Sequence, residues 1–412
     1  MYGRVVVGLA GVLLVASTSG CSLGSSSSAA TSSRSSSGAS TQSTAPRPTA
    51  STSNTPLASR MASDLTTMVE TRTIGGAITP KSVVTSGHGL AVANNMMYSH
   101  SATFYDTRTG TLAATVADDV DLSTFGFPEF PGRTKGAPVE AAWSPDGRYA
   151  YVSNYVMSGP NHRDSAQDFC GPENGYVDSF VYRIDTQKSF AVDQVIRVGA
   201  VPKYLTVTPD GRTLLVNNWC SWTMSVIDLA TGRQVKQIPL PKNPRGMVVL
   251  PDSKTAYVAA FSTPNIYRVD LDAGTYTLFA HVGQAARHIT MSPDAKFLYV
   301  VSSRANHVTK VDRDTGVVLA TTPTEREPRT MAISPDGKAL YVVDHWANVA
   351  QKIRTSDMRV IQTVKTFANP IGVSYDSVTG TVWIANYSGR IQVFDDTSPA
   401  AATSSAAPDA TN

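Results

Sequence analysis

The 412-residue chain predicts an all-β fold, a seven-bladed β-propeller of four-stranded antiparallel blades, on three observations. Pro202, Pro244, Pro328 and Pro370 stand at multiples of 42 residues from one another, with Ala286 in the vacant place. A turn follows each: TPDG at Thr208–Gly211, LPDS at Leu250–Ser253, SPDA at Ser292–Ala295 and SPDG at Ser334–Gly337. A β-rich run such as LLVNN, AYVAA or LYVVD then completes the unit. Alternating Val, Ile, Leu and Tyr suit strands buried between neighbouring blades.

Each unit divides into four strands. In the third, Pro202–Thr208 is innermost, Thr213–Asn218 returns, Thr223–Leu229 follows and Gln234–Leu240 is outermost. Pro138 and Pro80 extend the frame backwards, so inner strands begin near 80, 138, 202, 244, 286, 328 and 370. The last unit has only three strands. Thr67–Ile74, upstream of the first unit, supplies the fourth; pairing the two ends closes the ring and removes exposed sheet edges.

Tyr151-Val152-Ser153-Asn154, with SPDG before it and VIDLATG in the next unit, resembles the YVTN (YncE-like) propeller family across all seven units. The resemblance implies a seven-bladed propeller, often extracytoplasmic in bacteria. It implies no reaction, because propellers carry binding modules, electron-transfer subunits and hydrolases alike.

Residues 1–20 read as an export signal, with Arg4 ahead of the apolar stretch Val5–Ala16. That stretch is shorter than the roughly 20 residues a bilayer span needs. Thr18-Ser19-Gly20-Cys21 resembles a bacterial lipobox, which implies a lipid on Cys21 and anchoring at the cell membrane on the extracytoplasmic side. Cleavage and free secretion is the alternative. Residues 21–64 form a tether: from Ser22 to Arg60, 21 of 39 residues are Ser or Thr, too polar to offset chain entropy by burial. The propeller spans 65–396, and 397–412 is an unstructured tail. A net charge of +3 marks no polyelectrolyte partner, so nucleic-acid binding ranks below the other readings.

Two insertions, near Asp118–Gly136 and Val156–Asp178, break the period and emerge on one rim of the ring. Long loops on a rigid scaffold are where binding usually resides. The same rim receives the residue after each leading proline, which is Lys81, Lys203, Arg245, Arg287 or Arg329 in five units and Val139 or Ile371 in two. Just past the second strands come Tyr155, Trp219, Phe261, His345 and Tyr387, with Trp222 and Trp346 close by. Cations and aromatic faces on one rim suit an anionic or ring-bearing ligand. The competing expectation is that the rings pack beneath loops and the cations pair with carboxylates.

Asp146, Asp210, Asp252, Asp294 and Asp336 recur in the turns, and repetition in every blade assigns them to turn capping. Glu140, Asn154, Asn218 and Asp344 are the candidates for a hard-cation site, the basis of a metal-dependent, lactonase-like alternative. Seven histidines show no ligand spacing, and His288 reads as a hydrogen-bonded core residue. No cofactor is expected, since haem-attachment, nucleophile-elbow and phosphate-loop motifs are all missing from the sequence.

With Cys21 lipidated, Cys170 and Cys220 remain, on adjacent units and the same rim, as a disulfide or two free thiols. The sequence thus predicts a monomeric binding or scaffold protein of the cell envelope. Its partner would be an envelope protein, a glycan or a small anionic ligand.

Overall fold

The computed structural model describes residues 60–162 and 168–400; the signal, Cys21 and most of the tether lie outside the described residues. Seven antiparallel sheets are present, six of four strands and one of five. Their inner strands are Pro80–Thr85, Arg133–Trp143, Pro202–Val207, Pro244–Val249, Ala286–Met291, Pro328–Ile333 and Pro370–Asp376. Each packs on the next, and the first packs on the last, so the ring is closed.

The ends interlock. Thr66–Ile74 pairs with Arg390–Pro399, with Ile74 opposite Ile391 and Glu70 opposite Phe394. The final strand runs past the expected edge at 396, because Thr67 pairs with Ser398 and Thr66 with Pro399. Behind this seam, Lys352 Nζ donates to Asp396 Oδ1 (2.6 Å) and to the Thr66 carbonyl (2.9 Å). The Tyr341 hydroxyl donates to the other Asp396 oxygen. Lys352 and Asp396 side chains are wholly buried.

Between blades the alternating residues meet face to face. Leu215, Met224 and Ile238 of blade three pack on Met247, Val258 and Val269 of blade four, and every other junction repeats this arrangement with its own residues. Each fully buried aliphatic side chain contributes about 1.5–3 kcal/mol relative to exposure. The turn aspartates act as the repeat implied: Asp210 Oδ1 accepts from Thr208 Oγ1 (2.6 Å) and Arg212 N (3.1 Å). Asp294 and Asp336 do the same with Ser292 and Ser334.

Blade two carries the departures. Asp119–Asp121 adds a fifth strand beside Arg133–Trp143, whose partner Tyr149–Ser158 is likewise extended. Asp118 Oδ1 fixes this hairpin by accepting from Gly136 N (2.9 Å). A Cβ at Gly136 would stand 2.4 Å from Asn154 Oδ1 and 2.5 Å from Asp118 Oδ1, so only glycine fits.

Candidate functional site

The entry to each inner strand determines what reaches the channel. Val201, Asn243, Ala285, Glu327 and Asn369, the residues just before the strands of blades three to seven, all have φ between 57° and 60°. That region is costly for residues with a Cβ, most of all for Val201. A bulge follows at once, displacing the register between Pro202 and Tyr204, Ala286 and His288, and Pro328 and Met331. Bulges re-aim side chains. Here the kink places one residue per blade at the mouth, while the next continues the period-two alternation down the channel.

Four of the five predicted cations are buried there: Lys81, Lys203, Arg245 and Arg287; Arg329 is partly exposed. Arg287 is depressed by burial first and by Arg245 and Arg329 next. Val139 and Ile371 hold the same positions in blades two and seven and are buried apolar residues. Lys81 Nζ lies 3.9 Å from Glu140. Burial pushes Lys81 down to about 7 and Glu140 up, each against the pull of the other. Lys203 is paired with Asp168 and lies 3.9 Å over the Trp219 ring. Burial would lift the Asp168 carboxyl, but Lys203 and the Tyr155 hydroxyl together hold it at about 2, while burial lowers Lys203 to about 7 against the pull of Asp168, so the pair is ionised below that value. Arg329 pairs with Glu327 at 2.6 Å.

The aromatic residues divide. Tyr155 donates to Asp168 Oδ1 (2.9 Å), and the Arg287 and Arg304 guanidinium groups lie over the Phe261 ring, 5.6 and 5.5 Å from its centre. The Tyr387 hydroxyl is pushed up by burial against the pull of Arg287, Arg329 and Arg245. Trp219 is instead committed to packing: it is buried against Phe261 and donates Nε1 to the Asp168 carbonyl (2.9 Å). His345 is buried, bonded through Nδ1 to the Pro370 carbonyl (3.0 Å), and lowered to about 4 by burial and Arg329. It joins blades six and seven. Trp346 is half-exposed beside it, and Trp222 lies under Lys242.

The hard-cation candidates are not brought together. Asn218 Nδ2 bonds Thr223 and Ser225 within its own blade. The Asn154 amide faces Gly136 and Asp118, and Asp344 is raised to about 8 by burial and then by Glu325. Among the described residues no group of three His, Cys, Asp or Glu has metal-binding proximity. Only Glu140 of the four faces the channel, where a cavity of about 440 Å³ is lined by Ser82, Glu140, Tyr204, His288, Thr330 and Ser374 among others.

Three contributors escaped the sequence reading. Asp168 and Glu327 are lone carboxylates with no positional repeat, so nothing marked them. His288 is a correction: its Nδ1 has no protein partner, and the ring faces the channel beside Tyr204, 5.6 Å away, rather than bonding in the core. Its place two residues after Ala286, on a channel-facing position, was the available signal. Cys170 and Cys220 are joined as a disulfide with Cα atoms 5.2 Å apart, which ties the blade-two insertion to blade three beside Trp219.

A family model described as "Lactonase, 7-bladed beta-propeller" matches residues 165–321, from the blade-two insertion to the outer strand of blade five. No curated protein matches the sequence. Among solved structures, hydrazine synthase of Kuenenia stuttgartiensis aligns with a TM-score of 0.60 at 20% identity, over 78% of this chain and 96% of that one. At that identity the likeness is one of fold. The family match, the seven sheets and the interlocked ends together make this chain a seven-bladed β-propeller.

Proposed function

We propose that this protein is an extracytoplasmic binding module, tethered by a lipid on Cys21, that takes a small anionic ligand at the mouth of its channel. One observation carries the reading. Arg245 and Arg287 are buried at the mouth, no carboxylate lies within ion-pair distance of either among the described residues, and Arg245 Nη1 and Arg287 Nε have no acceptor. Leaving a buried charge unpaired costs several kcal/mol, and buried guanidinium donors are the residue type suited to anions. The Ser/Thr-rich segment and the signal-like start of the chain support placement outside the cytoplasm.

The test is calorimetric titration of the folded protein with small anions at constant ionic strength. Binding that Arg245→Gln abolishes, with the fold intact, supports the reading. Folded protein that takes up no anion of any class overturns it.

A second reading, a lactonase-like hydrolase, is favoured by the family match and by Glu140, a buried carboxyl raised by desolvation and facing the channel cavity. A carboxyl raised by burial suits general acid–base work. Turnover of a lactone panel, lost in Glu140→Gln, would favour it; no turnover by the wild type would remove it.

A further inference from the structure

We propose that the ligand of the channel mouth is a dianion, a small molecule with two full negative charges, held by Lys81, Arg245, Arg287 and Arg329. The inference rests on the anion-binding reading above and adds the charge and the position of the ligand.

The charge follows from the pairing. Five cations meet three carboxylates, and each carboxylate has its own cation: Glu140 with Lys81, Asp168 with Lys203, Glu327 with Arg329. Arg245 and Arg287 are left over, a surplus of two. A proton passing between Lys81 and Glu140 leaves that surplus unchanged. Asp344, on the second strand of blade six, does not cancel it either, because burial keeps its carboxyl protonated up to about 8. A monoanion would leave one buried guanidinium unopposed; a dianion satisfies both.

The position follows from the free donors. Lys81 Nζ, Arg245 Nη1, Arg287 Nε and Arg329 Nε are buried atoms without a protein acceptor. Lys203 is spent on Asp168 and the faces of Tyr155 and Trp219. The open donors therefore come from blades one, four, five and six, and none comes from blades two and three, which the disulfide joins. The Tyr387 hydroxyl, raised by burial, is within electrostatic reach of Arg287, Arg329 and Arg245. A tetrahedral oxyanion and a pair of carboxylates share this chemistry.

The experiment is calorimetry on the intact mature protein near pH 6, where Lys203, lowered by burial to about 7, keeps its proton, at fixed ionic strength and with sulfate, succinate, acetate and nitrate as probes. The dianions should bind at least about tenfold tighter than the monoanions. Sulfate ahead of succinate would assign a phosphate-type group, and the reverse order a dicarboxylate. Arg287→Gln lowers the surplus to one and should bring dianions and monoanions within about threefold of each other. Arg329→Gln, at a more exposed position, frees Glu327 to oppose a neighbouring guanidinium, and serves should the first variant not fold. Acetate binding as tightly as the dianions would overturn the dianion and leave the anion-binding reading standing. No uptake of any probe by folded protein would overturn both. Undiminished discrimination in both folded variants would overturn the placement on these arginines.

Discussion

Trp219 and Asp168 are joined by a hydrogen bond of 2.9 Å from the indole nitrogen to the backbone carbonyl, so a core-packed ring of blade three fixes the carboxylate that neutralises Lys203. The Cys170–Cys220 bridge stands beside this contact. One end of the blade-two insertion is thereby fastened to its neighbour by a covalent link, an indole bond and an ion pair.

The bridge closes a span of 50 residues. In the chain-entropy account, removing it costs roughly 4 kcal/mol. Cys220→Ala should therefore lower the denaturant midpoint markedly, and reductant should lower the wild-type midpoint by the same amount. A midpoint indifferent to reductant would show that the bridge contributes nothing.

Asp344 gives a prediction with a sign. Its carboxyl is raised to about 8, chiefly by burial, and neither oxygen has a partner. A folded-state value above the unfolded one, about 4, gives stability that is complete below pH 4 and is lost as pH rises through about 8. Asn95, Asn154, Asn218 and Asn386 hold the same place in other blades. Asp344→Asn should thus stabilise by about 1–3 kcal/mol near pH 8 and much less near pH 5. Equal effects in denaturation at the two pH values would refute the assignment.

Lys352 and Asp396 form the seam's ion pair with no exposure to solvent. Replacing Lys352 with Met strands a buried carboxylate and should cost about 3–5 kcal/mol. Lys352→Met together with Asp396→Leu should recover much of that loss, since removing both charges removes the desolvation penalty. A double variant no more stable than the single one would contradict this account.

Gly246 lets the inner strands of blades four and five approach. A Cβ there would lie 2.9 Å from His288 Cα and 3.0 Å from the Arg287 carbonyl, backbone atoms that cannot swing aside. Gly246→Ala should destabilise by about 1–3 kcal/mol. It should also weaken anion binding, because Arg287 moves with its backbone. A variant with native affinity would show that the mouth tolerates the shift.

The periodic features were legible in the sequence, and the singular ones were not. Spacing between Pro202, Pro244, Pro328 and Pro370 sets the blades, and the residue after each proline is the one that lines the mouth. The bend that aims those residues was hidden, because it uses Val201, Asn243, Ala285, Glu327 and Asn369 in a backbone region that their side chains ordinarily avoid. Trp219 and His345 read as ligand contacts from position alone, yet burial turns both into joints between blades. Asp168 and Glu327 carried no repeat, and only folding shows that they oppose Lys203 and Arg329.

Among the described residues, strand Thr66–Ile74 is synthesised ahead of all the others and pairs with Arg390–Pro399, which comes after them. No part of the seventh sheet can therefore mature until nearly the entire polypeptide has emerged. A product truncated before Ile391 keeps Pro370–Asp376 and Thr381–Asn386 but loses the partner of Thr66–Ile74, so Tyr341 and Lys352 of blade six are left without the carboxylate that closes over them, and the wheel stays unfinished.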